Sequence, residues 1–200
     1  MLSDRETVAI SDRRALARRF PDLLPRTPYC SNSLPDGIFA REKQIALTHR
    51  YIGLNSEHSL EWMSFDYDRP GGYFADDDAN LPPANVVMVN PMNGRAHLAY
   101  LLKTPVHKYD AARDKPRQYY AAVQRGMTNR MGADKQYTGL IAKNPAHGDW
   151  GVEWRRNDPY TLDELDGALF EVDKRFDTST KGDPILYGFS RNVTIIAPGI

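Results

Sequence analysis

Residues 59–68 read Ser-Leu-Glu-Trp-Met-Ser-Phe-Asp-Tyr-Asp, an apolar segment that ends in two aspartates one residue apart. Side chains two positions apart on a strand point to the same face. Asp66 and Asp68 would therefore project side by side from the end of a half-buried strand, where their repulsion favours a bound cation. Carboxylate oxygens suit Mg²⁺ or Mn²⁺, and such pairs occur in two-metal sites that transfer phosphoryl groups. An Asp-x-Asp pair is also common on solvated loops, so neighbouring motifs have to decide between the two interpretations.

Length and composition limit the classes of protein that the chain can represent. Its 200 residues have a mean hydropathy of −0.58, with 41% hydrophobic and 26% charged residues, which suits one large globular domain or two small lobes. No apolar stretch approaches the ~18 residues of a membrane-spanning helix, and the charged segment Met1–Glu6 lacks a signal-peptide pattern. The single cysteine, Cys30, excludes an internal disulfide and a cysteine-based zinc site. We therefore predict a cytoplasmic location and no membrane association.

The net charge is zero, with 26 basic and 26 acidic residues. A protein that binds nucleic acid purely by charge is usually basic, so this balance argues mildly against that class. An enzyme that holds a template in a local groove remains open, since acidic metal ligands would offset basic residues elsewhere.

The predicted elements come in a mixed order. Helices are predicted over residues 4–20, 73–78 and 113–131 and from a capping box at Thr161–Glu164, and strands over 59–66, 86–89, 97–102, 137–142 and toward the end of 45–54. Hairpin-like strand pairs with helices between them are typical of an α+β fold rather than of a doubly wound sheet.

Three polar motifs follow the acidic pair and suggest a phosphate-binding site. Arg95 and His97 would share one face of a strand and offer two donors to a triphosphate, although a lone strand histidine is commonly structural. Asp134, before the predicted strand at 137–142, is either a turn former or the third carboxylate of a two-metal site. The third motif ends that strand with Lys143, Asn144 and His147, which either hold phosphate oxygens or lie incidentally on an exposed loop.

Two other groups of residues receive structural interpretations. The run Asp76–Asp78 is followed by a proline pair, which favours a loop, so it is predicted to be a solvated surface run. Trp62 is predicted to lie in the core, whereas Trp150 and Trp154 keep the possibility of stacking on template bases.

The spacing of these motifs resembles the archaeo-eukaryotic primase superfamily, whose pattern is apolar-Asp-x-Asp, then small-x-His on a strand, then apolar-Asp after a helix. The matching segments here are Phe65–Asp68, Gly94–His97 and Ala133–Asp134. The chain also resembles one branch, the replicase family of replication-initiation (Rep) proteins from colicin-type theta-replicating plasmids. The segments similar to that branch are Ile52–Asn55, Leu81–Asn85, Val89–Tyr100, Ala133–Pro145 and Tyr160–Leu165.

This resemblance implies a catalytic domain over residues 1–185, in two lobes, with an RNA-recognition-motif-like sheet packed against a second αβ unit. It implies primase activity, with Asp66, Asp68 and Asp134 as ligands of two Mg²⁺ or Mn²⁺ ions and His97 on the phosphates of the incoming nucleotide. The partners it implies are nucleoside triphosphates, a DNA template at a plasmid origin and a host DNA polymerase. Roles for Arg95, Lys143, Asn144 and His147 in nucleotide binding are added on chemical grounds.

Members of the plasmid branch usually continue beyond a segment like Ser190–Asn192 into a region that binds the origin. We interpret residues 186–200 as the start of a linker or of a truncated origin-binding region, which puts origin recognition by this chain in doubt.

Two other functions remain open from the sequence. A metal-dependent phosphoesterase or nuclease would use the same carboxylates to activate water in place of a hydroxyl. A non-catalytic DNA-binding module would use the arginine-rich helix at residues 4–20 and keep the carboxylates as structural groups.

Overall fold

Two antiparallel four-stranded sheets organise the part of the chain that the computed structural model describes, residues 15–109 and 114–176 (backbone only from 170 onward). The first sheet has the order β2-β1-β3-β7, from strands β1 (Tyr29–Ser31), β2 (Phe39–Ala40), β3 (Tyr51–Ile52) and β7 (Ala142–Lys143). The second has the order β4-β6-β5-β8, from strands β4 (Ser59–Tyr67), β5 (Val86–Val89), β6 (Ala96–His107) and β8 (Gly151–Trp154). The helices are α1 (Ala15–Arg19), α2 (Lys43–Ala46), α3 (Ala75–Asp78), α4 (Asp114–Met131) and α5 (Leu162–Phe176), and 3-10 turns cover Phe20–Leu23, Leu34–Asp36 and Gly72–Phe74.

The second sheet is buried on both faces because its long strands alternate between two cores. In β4, Met63 and Phe65 point to one face, whereas Trp62, Ser64 and Asp66 point to the other. The first face packs against helix α4, which contributes an apolar stripe of Tyr120, Val123, Met127 and Met131. The opposite face packs against helix α1 and the first sheet through residues that include Leu16, Phe20, Cys30 and Ile52. Asp66 and His97 therefore lie on the face that meets the first sheet.

Most predicted elements of the second sheet are confirmed. Strands 59–66, 86–89 and 97–102 correspond to β4, β5 and β6, and the helix predicted over 113–131 corresponds to α4. The capping box is also present, since the Glu164 amide donates to Thr161 Oγ1 at 3.1 Å and the Thr161 amide donates to Glu164 Oε2 at 2.7 Å. Trp62 is fully buried, as predicted.

One of the predicted strands is largely wrong, and another is confirmed but short. Over 137–142 only the last residue belongs to a strand, because Gly139 adopts a φ of +70° and the Tyr137 hydroxyl donates to the Ile141 carbonyl across the resulting loop at 2.9 Å. The strand predicted toward the end of 45–54 is present as β3, which covers only Tyr51–Ile52 because the chain first completes helix α2.

Two predictions fall wholly or partly outside the described residues. Of the helix predicted over 4–20, the described portion is α1, and residues 186–200 are not described. Among the helices that are described, none has the length and apolar character needed to span a membrane.

Candidate active site

Three aspartates converge where strand β4 ends. One oxygen of Asp66, one of Asp68 and one of Asp134 all lie within 4.8 Å of one another. Asp68 is exposed, and Asp66 and Asp134 are partly buried. The three residues predicted from the sequence to be metal ligands are therefore neighbours, although Asp134 lies 66 positions after Asp68 in the chain.

His97 orients Asp66 from the adjacent strand. The two residues are directly opposite in the β4–β6 pair, and His97 Nε2 lies 3.0 Å from Asp66 Oδ1. His97 Nδ1 accepts the backbone N–H of Lys143 at 2.8 Å, so the ring proton must be on Nε2, which donates to Asp66. Burial lowers the pKa of His97, against the raising effect of the Asp66 hydrogen bond. His97 is therefore a neutral donor with both ring nitrogens engaged.

Lys143 reaches the site from the first sheet. It lies opposite Tyr51 in the β3–β7 pair, is only 6% exposed, and places its ammonium 5.8 Å from the centre of the Trp150 ring. The Trp150 ring is fixed by a hydrogen bond from Nε1 to the Arg50 carbonyl at 2.6 Å. Trp150 is thus a buried support for the lysine.

Arg95 approaches Asp68 at the open end of the same strand pair. Its Nη1 lies 3.5 Å from Asp68 Oδ1, and both side chains are more than half exposed. Solvent screens such a pair, so the guanidinium stays available to a second anion.

The end of helix α4 determines where Asp134 lies. Gly132 follows the last helical residue with a φ of +64°, a conformation that glycine adopts without strain. Its amide donates to the Asn129 carbonyl at 3.3 Å, and the Ala133 amide donates to the Thr128 carbonyl at 3.0 Å. These two bonds form a Schellman motif. The chain therefore turns back sharply and presents Asp134 two residues later.

Arg69 and one backbone hydrogen bond join this turn to strand β4. Arg69 Nη2 donates to the carbonyls of Met131 at 3.1 Å and Gly132 at 3.2 Å, where a cation also suits the negative end of the helix dipole. The Asp134 amide donates to the Asp66 carbonyl at 2.8 Å. A Cβ atom on Gly132 would collide with Arg69 Nη2. The third carboxylate is thus held in place by atoms outside the acidic motifs.

Asn144 and His147, which the sequence predicts to bind the nucleotide, do not lie against the acids. Asn144 is fully buried, and its side-chain amide donates to the carbonyls of Leu47 and His49 at 2.9 and 2.7 Å while its oxygen accepts the Ala146 amide at 3.0 Å. His147 Nδ1 accepts the Asp149 amide at 3.2 Å. Within the described residues, neither side chain contacts Asp66, Asp68 or Asp134, so both stabilise the loop that follows Lys143.

The surrounding charges keep Asp66 ionised. Burial alone would raise its pKa, but the hydrogen bond from His97 and the positive charges of Lys143 and Arg95 outweigh burial, and the pKa is lowered. Burial lowers the pKa of Lys143, while Asp66 and Asp68 oppose that shift. The site therefore combines ionised oxygen ligands with cationic donors beside them.

The donor set fits a divalent cation. Mg²⁺ coordinates oxygens at about 2.1 Å, so two ligands of one ion can be at most about 4.2 Å apart. Carboxylate oxygens spread over as much as 4.8 Å are within a small side-chain rotation of a single-ion site and also suit two bridged ions.

Sequence reasoning missed two residues that support the site. Arg69 directly follows the acidic pair and holds the turn before Asp134, a role that exists only because helix α4 ends beside it at Gly132. The Tyr137 ring lies 5.2 Å from the His97 ring, and its hydroxyl also lies 3.4 Å from Ser64 Oγ. Neither role follows from a spacing rule, because both partners are distant in sequence.

Comparisons with known proteins agree with this geometry. The model of the Replicase family matches residues 23–169. Among solved structures, the AEP domain of the primase-polymerase (PrimPol) of cyanophage S-2L superposes with a TM-score of 0.52 at 12% sequence identity, covering 83% of this chain and 98% of that one. No curated protein sequence matches the chain. The predicted α+β fold of the primase-polymerase type is thereby confirmed.

Proposed function

This chain belongs to the Replicase family, and we propose that it is a metal-dependent primase, which joins nucleoside triphosphates on a DNA template to begin plasmid replication. The observation that carries the proposal is the convergence of Asp66, Asp68 and Asp134 beside Arg95 and Lys143. Acids that bind metal next to cations that bind phosphate are the requirement for nucleotidyl transfer.

The reaction we propose is attack of a 3′-hydroxyl on the α-phosphorus of a nucleoside triphosphate. The O3′–Pα bond forms, the bond from Pα to the bridging oxygen breaks, pyrophosphate leaves, and the hydroxyl proton passes to water. Two bound Mg²⁺ or Mn²⁺ ions would supply a lowered pKa at the attacking hydroxyl and neutralise charge on the pyrophosphate.

Each residue of the site then has a distinct task. Asp66, Asp68 and Asp134 hold the cations, and Arg95 and Lys143 hold phosphate oxygens. His97 fixes the orientation of Asp66 through its Nε2–H, and it reaches a phosphate only if that hydrogen bond is exchanged. Asn144 and His147 are left out of the nucleotide site because of the hydrogen bonds described above.

The fold and family do not by themselves separate primer synthesis from the two other functions. Incubation with labelled single-stranded DNA, Mn²⁺ and either ribo- or deoxyribonucleoside triphosphates separates them. We expect products longer than the input or new short strands; shortened products would establish a nuclease. Metal-independent binding without product, unchanged by Asp66→Ala, would establish a DNA-binding module.

The biological setting belongs to the same proposal. We propose that the protein acts in the cytoplasm, at a plasmid origin, and that a host DNA polymerase extends its primer. Transformation of a plasmid that carries the gene with Asp68→Asn tests this, because we expect loss of replication and rescue by the wild-type protein supplied from a second plasmid. Replication that continues without rescue would contradict the plasmid role.

A further inference from the structure

A cavity of about 230 Å³ lies beside Asp134. Helix α4 lines it with Gln124, Arg125, Thr128 and Asn129, and the following loop adds Lys135. Pockets that enclose a whole drug-sized ligand measure about 300–1,000 Å³. The cavity, termed here the α4 pocket, therefore has room for one part of a nucleotide.

The polar groups of the α4 pocket have unused bonding capacity. Arg125 and Lys135 are exposed, and neither forms a hydrogen bond or ion pair with another residue in the described part of the chain. The side-chain amides of Gln124 and Asn129 are likewise without a protein partner among the described residues. Two cations and two amides around a cavity suit a phosphate and its attached sugar or base.

The α4 pocket and the triphosphate-binding cations lie on opposite sides of strand β4. This strand forms the edge of its sheet, with β6 as its neighbour, and Arg95 immediately precedes β6. The Asp66 carbonyl accepts the Asp134 amide and so points away from β6. In-line phosphoryl transfer needs the attacking and leaving oxygens on opposite sides of the phosphorus. If Arg95 and Lys143 hold the triphosphate, the attacking hydroxyl must therefore approach the α-phosphorus from the side on which Asp134 lies.

We propose that the α4 pocket binds the 3′-terminal nucleotide of the primer, with Arg125 and Lys135 on the last phosphodiester of that strand. This inference rests on the proposed function, since it assigns the second substrate of the same reaction. Gln124 and Asn129 contact the sugar or base edge of that nucleotide. Asp134, which lines both sites, then lies between the two substrates.

The test compares the wild-type chain with the double variant Arg125→Gln/Lys135→Gln. Binding of a short primer, annealed to a fluorescent template strand, is followed by anisotropy without divalent metal. We expect the double variant to bind about tenfold or more weakly, with a slope of log K against log[salt] that is shallower by about 1.4–1.8. Equal affinity and equal slope would overturn the proposal, as would failure of the wild type to bind.

A neutral linkage in the primer separates this site from general attraction to DNA. Replacing the last phosphodiester with a methylphosphonate should weaken binding to the wild type and leave binding to the double variant unchanged. The charge-matched control Arg41→Gln/Lys103→Gln removes two exposed cations outside the site and should behave as the wild type. An equal methylphosphonate effect in all three proteins would overturn the proposal.

Kinetics distinguish failure of this inference from failure of the proposed function. In primer extension, the double variant should raise the KM for primer at least tenfold and leave the KM for the incoming nucleotide unchanged. If the wild-type protein extends primers and the double variant has the same KM for primer, only the proposed role of the α4 pocket is refuted. If wild-type protein extends nothing, the polymerase function itself fails, and the metal-free binding data still decide whether the pocket holds a primer end.

Discussion

Strand β4 ends in carboxylates that face one another, whereas the carboxylate of Asp76, in helix α3, is enclosed by groups that neutralise it. Asp76 is fully buried. It accepts the Ala84 amide at 2.8 Å and the Asp77 amide at 3.2 Å, and Arg155 Nη1 lies 2.7 Å away. Both carboxylate oxygens thus have at least one donor, as a structural carboxylate requires.

The acids of the candidate site have weaker compensation. Asp66 receives a neutral donor from His97, Asp68 meets an exposed arginine at 3.5 Å, and Asp134 accepts the Gln136 amide at 2.8 Å. One oxygen of each carboxylate lies within 4.8 Å of an oxygen of each of the other two. The difference teaches that a fully donor-satisfied buried carboxylate belongs to the fold, where loss of either partner of its ion pair is destabilising, while mutually repelling carboxylates make a place for a cation.

The largest effect should come from removing a charge in the candidate site. Asp68→Asn changes an exposed side chain, so we expect the free energy of unfolding to stay within about 0.5 kcal/mol. Primer synthesis should fall on the order of 10⁴-fold, because a metal ligand stabilises the transition state by several kcal/mol. Synthesis rates per folded molecule check this, with Asp36→Asn, an exposed aspartate in the 3-10 turn Leu34–Asp36, as the control. Wild-type rates for Asp68→Asn would refute the metal role.

At Asp76 we expect a loss of stability without a loss of activity, the reverse of the result expected at Asp68. Asp76→Asn removes the buried carboxylate that pairs with Arg155, whose side chain is 11% exposed, and leaves it only the more exposed Glu153 at 3.1 Å. The change should destabilise the protein by about 3 kcal/mol. Urea unfolding measures this loss, and the activity of the molecules that remain folded should be unchanged. Adding Arg155→Met should recover part of the stability. A loss below about 1 kcal/mol would show that Asp76 is not a structural partner.

Divalent metal should raise the free energy of unfolding only when the candidate site is intact, and this distinguishes that site from the region around Asp76. Mn²⁺ at a hundredfold its Kd should stabilise the wild type by about 2.7 kcal/mol, and EDTA should reverse the effect. The Asp76→Asn variant is less stable, but Mn²⁺ should stabilise it by the same amount as the wild type. The Asp66→Asn variant should lose most of this stabilisation. Thermal unfolding with and without Mn²⁺ measures both. An equal increment in the Asp66 variant would place the metal elsewhere.

Long, strongly patterned elements made much of the fold predictable. The segment at residues 59–68 is apolar and ends in the acidic pair, and helix α4, 18 residues long, has an apolar stripe from Tyr120 to Met131. The sequence therefore located Asp66, Asp68 and Asp134 on or near element ends, and the primase-like motif spacing supplied the expectation that they meet. What spacing could not supply was the turn that brings them together, which depends on Arg69 and the left-handed Gly132.

The mistaken interpretations share a physical cause, since each depends on a partner distant in sequence. The run Asp76–Asp78 has the composition of a solvated surface, and the prediction is wrong for Asp76 because Arg155, 79 residues away, pairs with it. Asn144 looks like a free loop amide until Leu47 and His49 supply its acceptors. Strand β7 is only two residues long, too short for any periodic pattern, and tertiary pairing with β3 creates it.

Arg69 should affect metal binding without being a metal ligand. Arg69→Met removes the donors to the last carbonyls of helix α4, so Asp134 should be held less firmly and Mn²⁺ affinity should fall about 10–100-fold. Gly132→Ala, which displaces the same guanidinium, should have a similar effect. Electron paramagnetic resonance titration of free Mn²⁺ measures the Kd.

The matched variant for Arg69 is Arg41→Met, an exposed arginine directly after strand β2, which should leave the Kd unchanged. Arg69→Lys should restore part of the affinity, because an ammonium can still donate to one of the two carbonyls. Loss of stability at Arg69→Met with an unchanged Kd would limit Arg69 to supporting the fold.

An exposed carboxylate completes the comparison and should have the smallest effect. The amide and hydroxyl of Thr161 hydrogen-bond to Glu164 and lower its pKa. A carboxyl with a lower pKa in the folded state contributes stability that is complete above its unfolded pKa, near 4.5, and is lost as the pH falls through the folded value. Because the side chain is 49% exposed, solvent limits the contribution to a few tenths of a kcal/mol.

Glu164→Gln keeps the capping geometry and should remove only this acid-dependent part. The free energies of unfolding in urea should therefore differ between the two proteins at pH 7 and converge as the pH falls. A constant difference across that range would mean that the carboxylate charge adds nothing to the cap, and that geometry alone stabilises the start of helix α5.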